Sequence, residues 1–185
     1  MTDRLHRLCA LVTGLEDRLR DAVEAASGLA GVAPDALLTV GHVPGLRVDD
    51  LAAMLRVSHS GAVRTVDRLV AAGLVERRPA PGDRRSVALR LTPAGRRARR
   101  RVLDARDRVL DDALGVLSPG ERATFGALVD RLLSALAAAA GDDHSLCRRC
   151  DPDDCAEGCP VDVSPLSSAG SPAGAGSSPP RSAAG

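Results

Sequence analysis

Four cysteines near the C-terminus are the residues of this chain best suited to chemistry. Cys147, Cys150, Cys155 and Cys159 lie within thirteen residues with the spacing C-x2-C-x4-C-x3-C. A C-x2-C pair presents two sulfurs to one metal ion, and the later Pro and Gly residues allow the chain to fold back and complete a tetrahedron. The spacing therefore predicts one Zn²⁺ held by these four cysteines.

Two other chemistries fit the same cysteines. An iron–sulfur cluster is one alternative, because Cys159-Pro160 resembles the cysteine-proline ending of ferredoxin motifs. A metal-free dithiol switch is the other. Since the segment contains few apolar residues, a bound metal is expected to order residues 144–160 against the last helix.

The basic residues, all of them arginines, are concentrated in the middle of the chain. Residues 46–106 contain 15 Arg against 6 acidic residues, a net charge of +9. The remainder contains 10 Arg against 18 acidic residues, a net charge of −8. A basic face on an otherwise acidic body suits a polyanion such as duplex DNA.

A helix-turn-helix is predicted in this basic region. Its second helix, Ser58–Ala72, begins at the N-cap Ser58 and stops before Gly73. Arg64 on this helix suits a bidentate contact with guanine, and its other outward side chains suit bases or phosphates. The predicted DNA-reading residues of this helix are Ser58, His59, Ser60, Arg64, Thr65 and Arg68.

A basic β-hairpin is predicted next, with strands Val75–Pro79 and Ser86–Leu91. The turn between them contains Asp83-Arg84-Arg85. An arginine at such a tip can enter a narrow minor groove, and an aspartate two positions earlier can orient its guanidinium group. Asp83, Arg84 and Arg85 are therefore the predicted DNA-binding residues of the hairpin.

The predicted fold class is mainly α with a small β-hairpin wing. Two short helices, Ala33–Gly41 and Val48–Leu55, precede the recognition helix, and a long helix capped by Thr92 follows the hairpin to about Leu117. A further helix restarts at Ser118-Pro119. The N-terminal helix and the last two helices have more apolar surface than a small winged domain can cover, so they are expected to form a dimer.

This pattern divides the chain into three parts. Residues 1–140 form the winged helix-turn-helix domain, with a DNA reader at about 46–92 and dimerisation helices at about 4–26 and 93–140. Residues 144–160 form the cysteine cluster. Residues 161–185 are expected to be a disordered tail, because 20 of these 25 residues are Ser, Pro, Gly or Ala.

The reader also resembles a known family. Residues 69–77 (LVAAGLVER), 82–86 (GDRRS) and 89–95 (LRLTPAG) are similar to the MarR family of winged helix-turn-helix regulators. The resemblance covers roughly residues 4–140. It implies homodimers on palindromic operators, usually repressors released by a small-molecule effector or by thiol oxidation, with Asp83 and Arg85 as the wing pair and Arg85 in the minor groove.

One feature departs from that family, and Cys9 is open to two interpretations. Many members line the effector pocket with aromatic side chains, but Phe125 is the single aromatic residue here. Cys9 lies among Leu5, Leu8 and Val12 and is expected to be a small hydrophobic residue of the dimer core. A peroxide-sensing thiol is the alternative for Cys9, because some family members carry one near the N-terminus.

Several other classes of protein are disfavoured. The four histidines have no metal spacing, and there is no G-x-S-x-G, P-loop or dinucleotide fingerprint, so an enzyme is not expected. No run of about 20 apolar residues or signal peptide is present, which predicts a cytoplasmic protein without a membrane span. A redox or metal sensor with DNA as its output, and a winged-helix interaction module without DNA binding, remain alternatives.

Overall fold

The computed structural model of the protein describes residues 2–43, 45–80, 83–140, 144–151, 159 and 161, with side chains except at 2, 83–85, 140 and 144. These ranges form a mainly helical fold with one antiparallel hairpin, as predicted. The elements are α1 (Thr2–Ser27), α2 (Ala33–His42), α3 (Val48–Leu55), α4 (His59–Ala71), β1 (Val75–Ala80), β2 (Asp83–Leu91), α5 (Pro93–Leu114), α6 (Pro119–Ala140) and a 3₁₀ turn at His144–Cys147.

The core lies where α2, α3, α4, the hairpin and the first half of α5 meet. It is aliphatic, and its largest fully buried side chains include Leu37, Leu51, Leu69, Leu89 and Val102. Burying each such side chain stabilises the fold by about 1.5–3 kcal/mol. All residues of the range Ala33–Val40 are buried, so α2 is the central helix of this arrangement.

Side-chain caps set where the reader helices begin. Ser58 Oγ accepts a hydrogen bond from the Gly61 amide at 3.1 Å, which starts α4 at the predicted position. Gly73, with φ of +68°, ends this helix region and turns the chain into β1. The predicted bounds of α3 are confirmed, and those of α4 are confirmed with Ser58 and Ala72 as its caps.

The start of α5 is joined tightly to the hairpin. Thr92 Oγ1 accepts from the Gly95 amide at 3.0 Å and donates to the Gly73 carbonyl at 2.6 Å. The Thr92 amide donates to the Leu74 carbonyl at 3.0 Å. A Cβ atom on Gly95 would lie only 1.9 Å from the Leu74 carbonyl oxygen, so this contact requires glycine.

The hairpin is longer than the sequence predicts. Its register pairs Val75 with Leu91 and Pro79 with Val87, and it shifts between Pro79 and Ala80. The Leu89 amide also donates to the Leu46 carbonyl at 2.8 Å, which fixes the hairpin base to the segment before α3. The base of the wing is therefore attached to the segment that leads into α3.

The long helix α5 ends earlier than predicted, at Leu114 rather than about Leu117. Gly115 follows as its C-cap, and the Leu117 amide donates to the Leu114 carbonyl at 3.0 Å, forming a turn before α6. At α6, Ser118 and Glu121 form a reciprocal cap, since the Ser118 amide donates to Glu121 Oε2 at 2.9 Å. No described helix is long and apolar enough to cross a membrane.

Candidate nucleic-acid interface and cysteine segment

Helix α4 presents one polar face to solvent. Its inner face is buried and consists of Ala62, Thr65, Val66 and Leu69. The outer face and its cap are exposed, as predicted, at Ser58, His59, Ser60, Arg64 and Arg68. Small hydroxyl side chains at the start of the helix and arginines further along form a surface with hydrogen-bond donors suited to base edges and phosphates.

The prediction that Thr65 faces outward is wrong. Its side chain is 2% exposed, and its hydroxyl donates to the Gly61 carbonyl at 2.9 Å. Position 65 follows Ala62 by three residues and precedes Leu69 by four, which places it on the same helix face as these core residues. Thr65 therefore packs the helix onto the core and cannot contact a base.

The outer face is held in place by contacts from neighbouring elements. His59 Nδ1 lies 2.7 Å from Asp49 Oδ1, which connects the first turn of α4 to α3. Arg77 Nη2 lies 2.6 Å from Asp67 Oδ1, which connects β1 to α4. Both pairs are exposed and contribute little stability, so they connect α4 with α3 and with the hairpin without anchoring them.

The predicted wing residues lie at the start of β2. Asp83 pairs with Ala80 across the hairpin. The side chains of residues 83–85 are outside the described part, so the roles of Asp83, Arg84 and Arg85 stay predictions.

The two outer helices expose apolar side chains. The exposed members are Leu5, Leu8, Leu11 and Val12 on α1 and Phe125, Leu128, Val129, Leu132 and Leu136 on α6. Cys9 is exposed among the residues of α1. Exposed apolar rows of this length are typical of an interface with another protein surface.

Residues 144–151 dock against the body of the protein through polar contacts. We refer to these eight residues as the C-terminal strap. Ser145 and Cys147 are buried, and the Arg56 side chain donates to Ser145 Oγ at 3.0 Å. Arg99 on α5 lies 2.8 Å from Asp151, and Arg106 donates to the Arg149 carbonyl.

Arg149 is the centre of this docking. Its guanidinium group lies 2.8 Å from Glu16 Oε2 on α1 and 2.8 Å from Asp35 Oδ1 on α2. Hydrogen bonding from Arg149 holds the pKa of Glu16 below its usual range. Burial lowers the pKa of Arg149, but the combined hydrogen bonds and charge of Glu16 and Asp35 outweigh it and raise the pKa above its usual range. The arginine thus stays charged and joins two helices.

Cys147 and Cys150 form a thiol pair within the strap. The Cys150 amide donates to the Cys147 carbonyl at 3.0 Å, so the chain turns sharply between them. A hydrogen bond from Cys147 lowers the pKa of Cys150 to about 6, with a smaller contribution from the charge of Arg106 and an opposing effect of burial. Neither cysteine forms a disulfide.

The remaining cysteines do not complete a metal site within the described residues. Cys159 is half-buried, and Cys155 lies outside the described part. Among described residues, no three His, Cys, Asp or Glu side chains are grouped as metal ligands.

The expected docking against the last helix is wrong for residues 144–151. The strap makes its hydrogen bonds and ion pairs with α1, α2, α5 and the end of α3. Ion pairs and hydrogen bonds hold residues 144–151 in this position, and the metal stays a prediction. Val161, the first residue of the predicted tail, is buried, and residues 162–185 lie outside the described part.

Sequence reasoning missed Glu16 and Asp35, the acidic residues that pair with Arg149 of the strap. The available signal was Asp35, a carboxylate inside the otherwise uncharged segment Ala33–Val40. A carboxylate in a buried helix needs a cationic partner. The sequence gives no indication of which of its 25 arginines that partner is.

A polar cleft of about 780 Å³ lies between the end of α2, the hairpin base and α5. Four arginines line it, Arg90, Arg96, Arg99 and Arg100, and so does Asp151 of the strap. Acidic side chains and a few aliphatic ones complete the lining, and none of the lining residues is aromatic. The cleft suits a charged ligand better than a flat apolar one.

Comparison with known proteins places this geometry in context. Residues 27–86 match the model of the MarR family. The chain is 36% identical over 96 residues to a putative transcriptional regulatory protein for the hcr operon of Thauera aromatica, covering 52% of this chain and 58% of that relative. The chain therefore spans somewhat more than half the length of this curated relative.

Solved structures share the fold. The RV1404 protein of Mycobacterium tuberculosis is 28% identical with a TM-score of 0.59, covering 76% of this chain and 91% of that one. A crystal structure of MarR is 25% identical with a TM-score of 0.62, covering 73% of this chain and 94% of that one.

The same winged arrangement recurs in these structures. Residues 27–86 are thus similar to the MarR family, and the described fold is similar to that of a solved MarR structure.

Proposed function

We propose that this protein is a homodimeric, sequence-specific DNA-binding repressor of transcription. The observation that supports it best is the exposed face of α4, with Ser60, Arg64 and Arg68, beside a basic hairpin on a MarR-type scaffold. The net charge of +9 over residues 46–106 favours the DNA backbone as the partner of this surface.

Dimerisation follows from the apolar rows on α1 and α6. Leu132 is 62% exposed and Leu5 is 63% exposed in the single chain. A second copy that covers these rows removes them from water and holds two readers about one helical turn of DNA apart. A palindromic operator is the DNA target that fits such a dimer.

Selection from a random duplex library tests DNA reading directly. The full chain should enrich a palindromic sequence, and binding should weaken steeply with added salt as phosphate contacts are screened. A chain that enriches no sequence and binds no duplex would instead be a winged-helix interaction module without DNA binding.

Arg85→Ala is expected to weaken binding to the selected duplex by about 1–3 kcal/mol, because the wing arginine would lose its minor-groove contact. Fluorescence anisotropy with a labelled duplex at fixed salt measures this loss. Arg108→Ala is the matched control, since it removes one exposed arginine charge from α5 beyond the reader. Equal losses in the two variants would mean that net charge, and not the wing, carries the effect.

Recognition of sequence is expected to depend on Arg64. Its replacement by Ala should change which bases are preferred, because a bidentate arginine discriminates guanine by about 1–3 kcal/mol. Repeating the selection with this variant measures the preference. Uniform weakening with an unchanged preferred sequence would assign Arg64 to a phosphate instead.

The cleft beside α5 is the proposed position for a small-molecule effector. Four arginines and four carboxylates line it, which favours a polar ligand with both kinds of charge, and it lies between the reader elements and α5. A ligand there that binds one arrangement of the reader more tightly than another would shift DNA affinity.

The four-cysteine metal site is also part of the proposal. Metal analysis of anaerobically purified protein should give one Zn²⁺ per chain, and Cys150→Ser should reduce it strongly, because a tetrahedral site loses one of four thiolates. Iron and sulfide with a brown colour would assign the iron–sulfur alternative. Protein that contains no metal would support the third alternative, the metal-free dithiol switch.

A further inference from the structure

We propose that Asp49 is a positioning residue that fixes His59 as a hydrogen-bond acceptor toward DNA. By this arrangement the first turn of α4 selects a base with an exocyclic amine, adenine or cytosine, over guanine or thymine. The inference rests on the proposed function for its DNA partner. The pairing of the two side chains can be tested without DNA.

The pair joins the first turns of two reader helices. His59 opens α4, Asp49 lies in the first turn of α3, and their Nδ1 and Oδ1 atoms are 2.7 Å apart. The neighbouring carboxylate of Asp50 is engaged elsewhere, since its Oδ2 accepts from the Arg47 amide at 3.3 Å. Asp49 is therefore the carboxylate of this turn that pairs with the recognition helix.

The hydrogen bond decides which ring nitrogen carries the proton. A carboxylate only accepts hydrogen bonds, so Nδ1 of His59 is the donor to Asp49. In a neutral imidazole the other nitrogen, Nε2, is then an acceptor. Among the described residues nothing is hydrogen-bonded to Nε2, and the His59 side chain is 63% exposed. This acceptor is thus open to a ligand that approaches from solvent.

The other polar side chains of this helix face do not supply a fixed acceptor. Arg64 and Arg68 can only donate, so they suit guanine or phosphate. The Ser58 hydroxyl is engaged in capping α4. The Ser60 hydroxyl can rotate to donate or to accept, so it does not discriminate between the two kinds of base edge. His59 therefore adds a selectivity that these four side chains lack.

A fixed acceptor separates the bases by their major-groove edges. Adenine presents its N6 amine and cytosine its N4 amine as donors, whereas guanine O6 and thymine O4 are acceptors. Nε2 can accept from either amine, but it would face a keto oxygen with no proton between them. Because the N-terminal residues of a recognition helix contact base edges, His59 should disfavour guanine and thymine at one position of each half-site.

The carboxylate lies where DNA alone would not favour it. Asp49 is 65% exposed beside the first turn of α4, and the phosphates of a docked duplex would repel its charge. Docking also excludes water from the pair, which strengthens the hydrogen bond to His59. Both side chains are exposed in the free chain, so the pair contributes little stability. Its effect is therefore expected on base preference and not on folding.

The tautomer of His59 is measured on the free, ¹⁵N-labelled full chain at about pH 8. Ring nitrogen–proton correlations distinguish Nδ1–H from Nε2–H, and His59→Gln identifies the signals of this ring among the four histidines. The unsubstituted chain should show Nδ1–H. Asp49→Asn should raise the share of Nε2–H, because an amide can donate to Nδ1 as well as accept from it. A ring protonated at Nε2, at both nitrogens, or unchanged by Asp49→Asn would overturn the proposal.

Base preference is measured with the duplex selected from the random library. The position read by His59 is the one at which His59→Ala relaxes the preferred sequence. Four duplexes that differ only at that position are then compared by fluorescence anisotropy. The unsubstituted chain should bind adenine and cytosine about two- to tenfold more tightly than guanine and thymine, the range for one hydrogen bond. Asp49→Asn should bring this ratio close to one.

Asp67→Asn is the matched control for the loss of charge. Asp67 on α4 is 57% exposed and is also paired, with Arg77 Nη2 at 2.6 Å, so the variant removes the same charge from a similar exposed pair. It should keep the ratio of the unsubstituted chain. Because the four affinities are compared within one variant, any loss of folded protein cancels from the ratio.

Three results with DNA would also overturn the proposal. They are an unchanged ratio in Asp49→Asn, an equal loss of the ratio in Asp67→Asn, and a His59→Ala variant that changes no base preference. A chain that binds no duplex in any form would contradict the proposed function. The ring tautomer would then still decide whether Asp49 positions His59.

Discussion

Gly95→Ala is expected to lower the free energy of unfolding by about 3 kcal/mol, the upper end for forcing a methyl group into a packed site. The added Cβ would lie 1.9 Å from the Leu74 carbonyl oxygen. That carbonyl also accepts the Thr92 amide at 3.0 Å, so it cannot move without breaking the junction of hairpin and α5. A flexible side chain could rotate away from the added methyl group, but moving the Leu74 backbone would cost much more free energy.

Urea unfolding followed by circular dichroism measures the change. Gly120→Ala is the matched control, because Gly120 also follows the first-turn proline of a helix and has nothing within 4 Å of an added Cβ. The control should change stability by less than about 0.5 kcal/mol. Equal stability of the two variants would contradict the close approach of α5 to Leu74.

The reader was largely predictable because its signals are local. Ser58 caps α4, Thr92 caps α5 and Gly73 turns the chain, and each signal acts within four residues of the position it defines. The aliphatic periodicity of α3 and α4 then fixes which faces are buried. These features follow from neighbours in sequence, so a single sequence is enough to find them.

Thr65 shows where local reasoning fails. A threonine is polar by type, but its hydroxyl can be satisfied by the carbonyl four residues earlier, and its methyl group packs like that of valine. The helix face, set by positions 62, 66 and 69, decided its burial. The helical spacing of the buried positions in α4 therefore predicts the burial of Thr65 better than its polar residue type does.

The strap could not be predicted because its contacts join residues far apart in sequence. Arg149 and Glu16 are 133 residues apart, and Arg149 and Asp35 are 114 apart. The few apolar residues near the cysteines predicted a segment ordered by a metal, which stays a prediction, and gave no signal for ion pairs to distant helices. Sequence reasoning did not account for a buried carboxylate on α2 that requires a cation.

Leu132→Asp is expected to convert the proposed dimer to monomers and to weaken operator binding by at least about 100-fold. Leu132 lies on α6 and is 62% exposed in the single chain, within the apolar row that a second copy would cover. Burying an unpaired carboxylate at such an interface costs several kcal/mol. A factor of 100 corresponds to about 2.8 kcal/mol. Light scattering after size exclusion should give a mass near 19.1 kDa rather than twice that value.

Val116→Asp provides the matched control for this experiment. Val116 is 85% exposed but lies in the turn between α5 and α6, away from the apolar face of either helix. The same change of an apolar side chain to a carboxylate should leave the dimer and its DNA affinity intact. If Leu132→Asp also stays dimeric with unchanged circular dichroism, α6 does not form the interface. If it becomes monomeric but keeps full operator affinity, one reader is sufficient and the palindromic operator is contradicted.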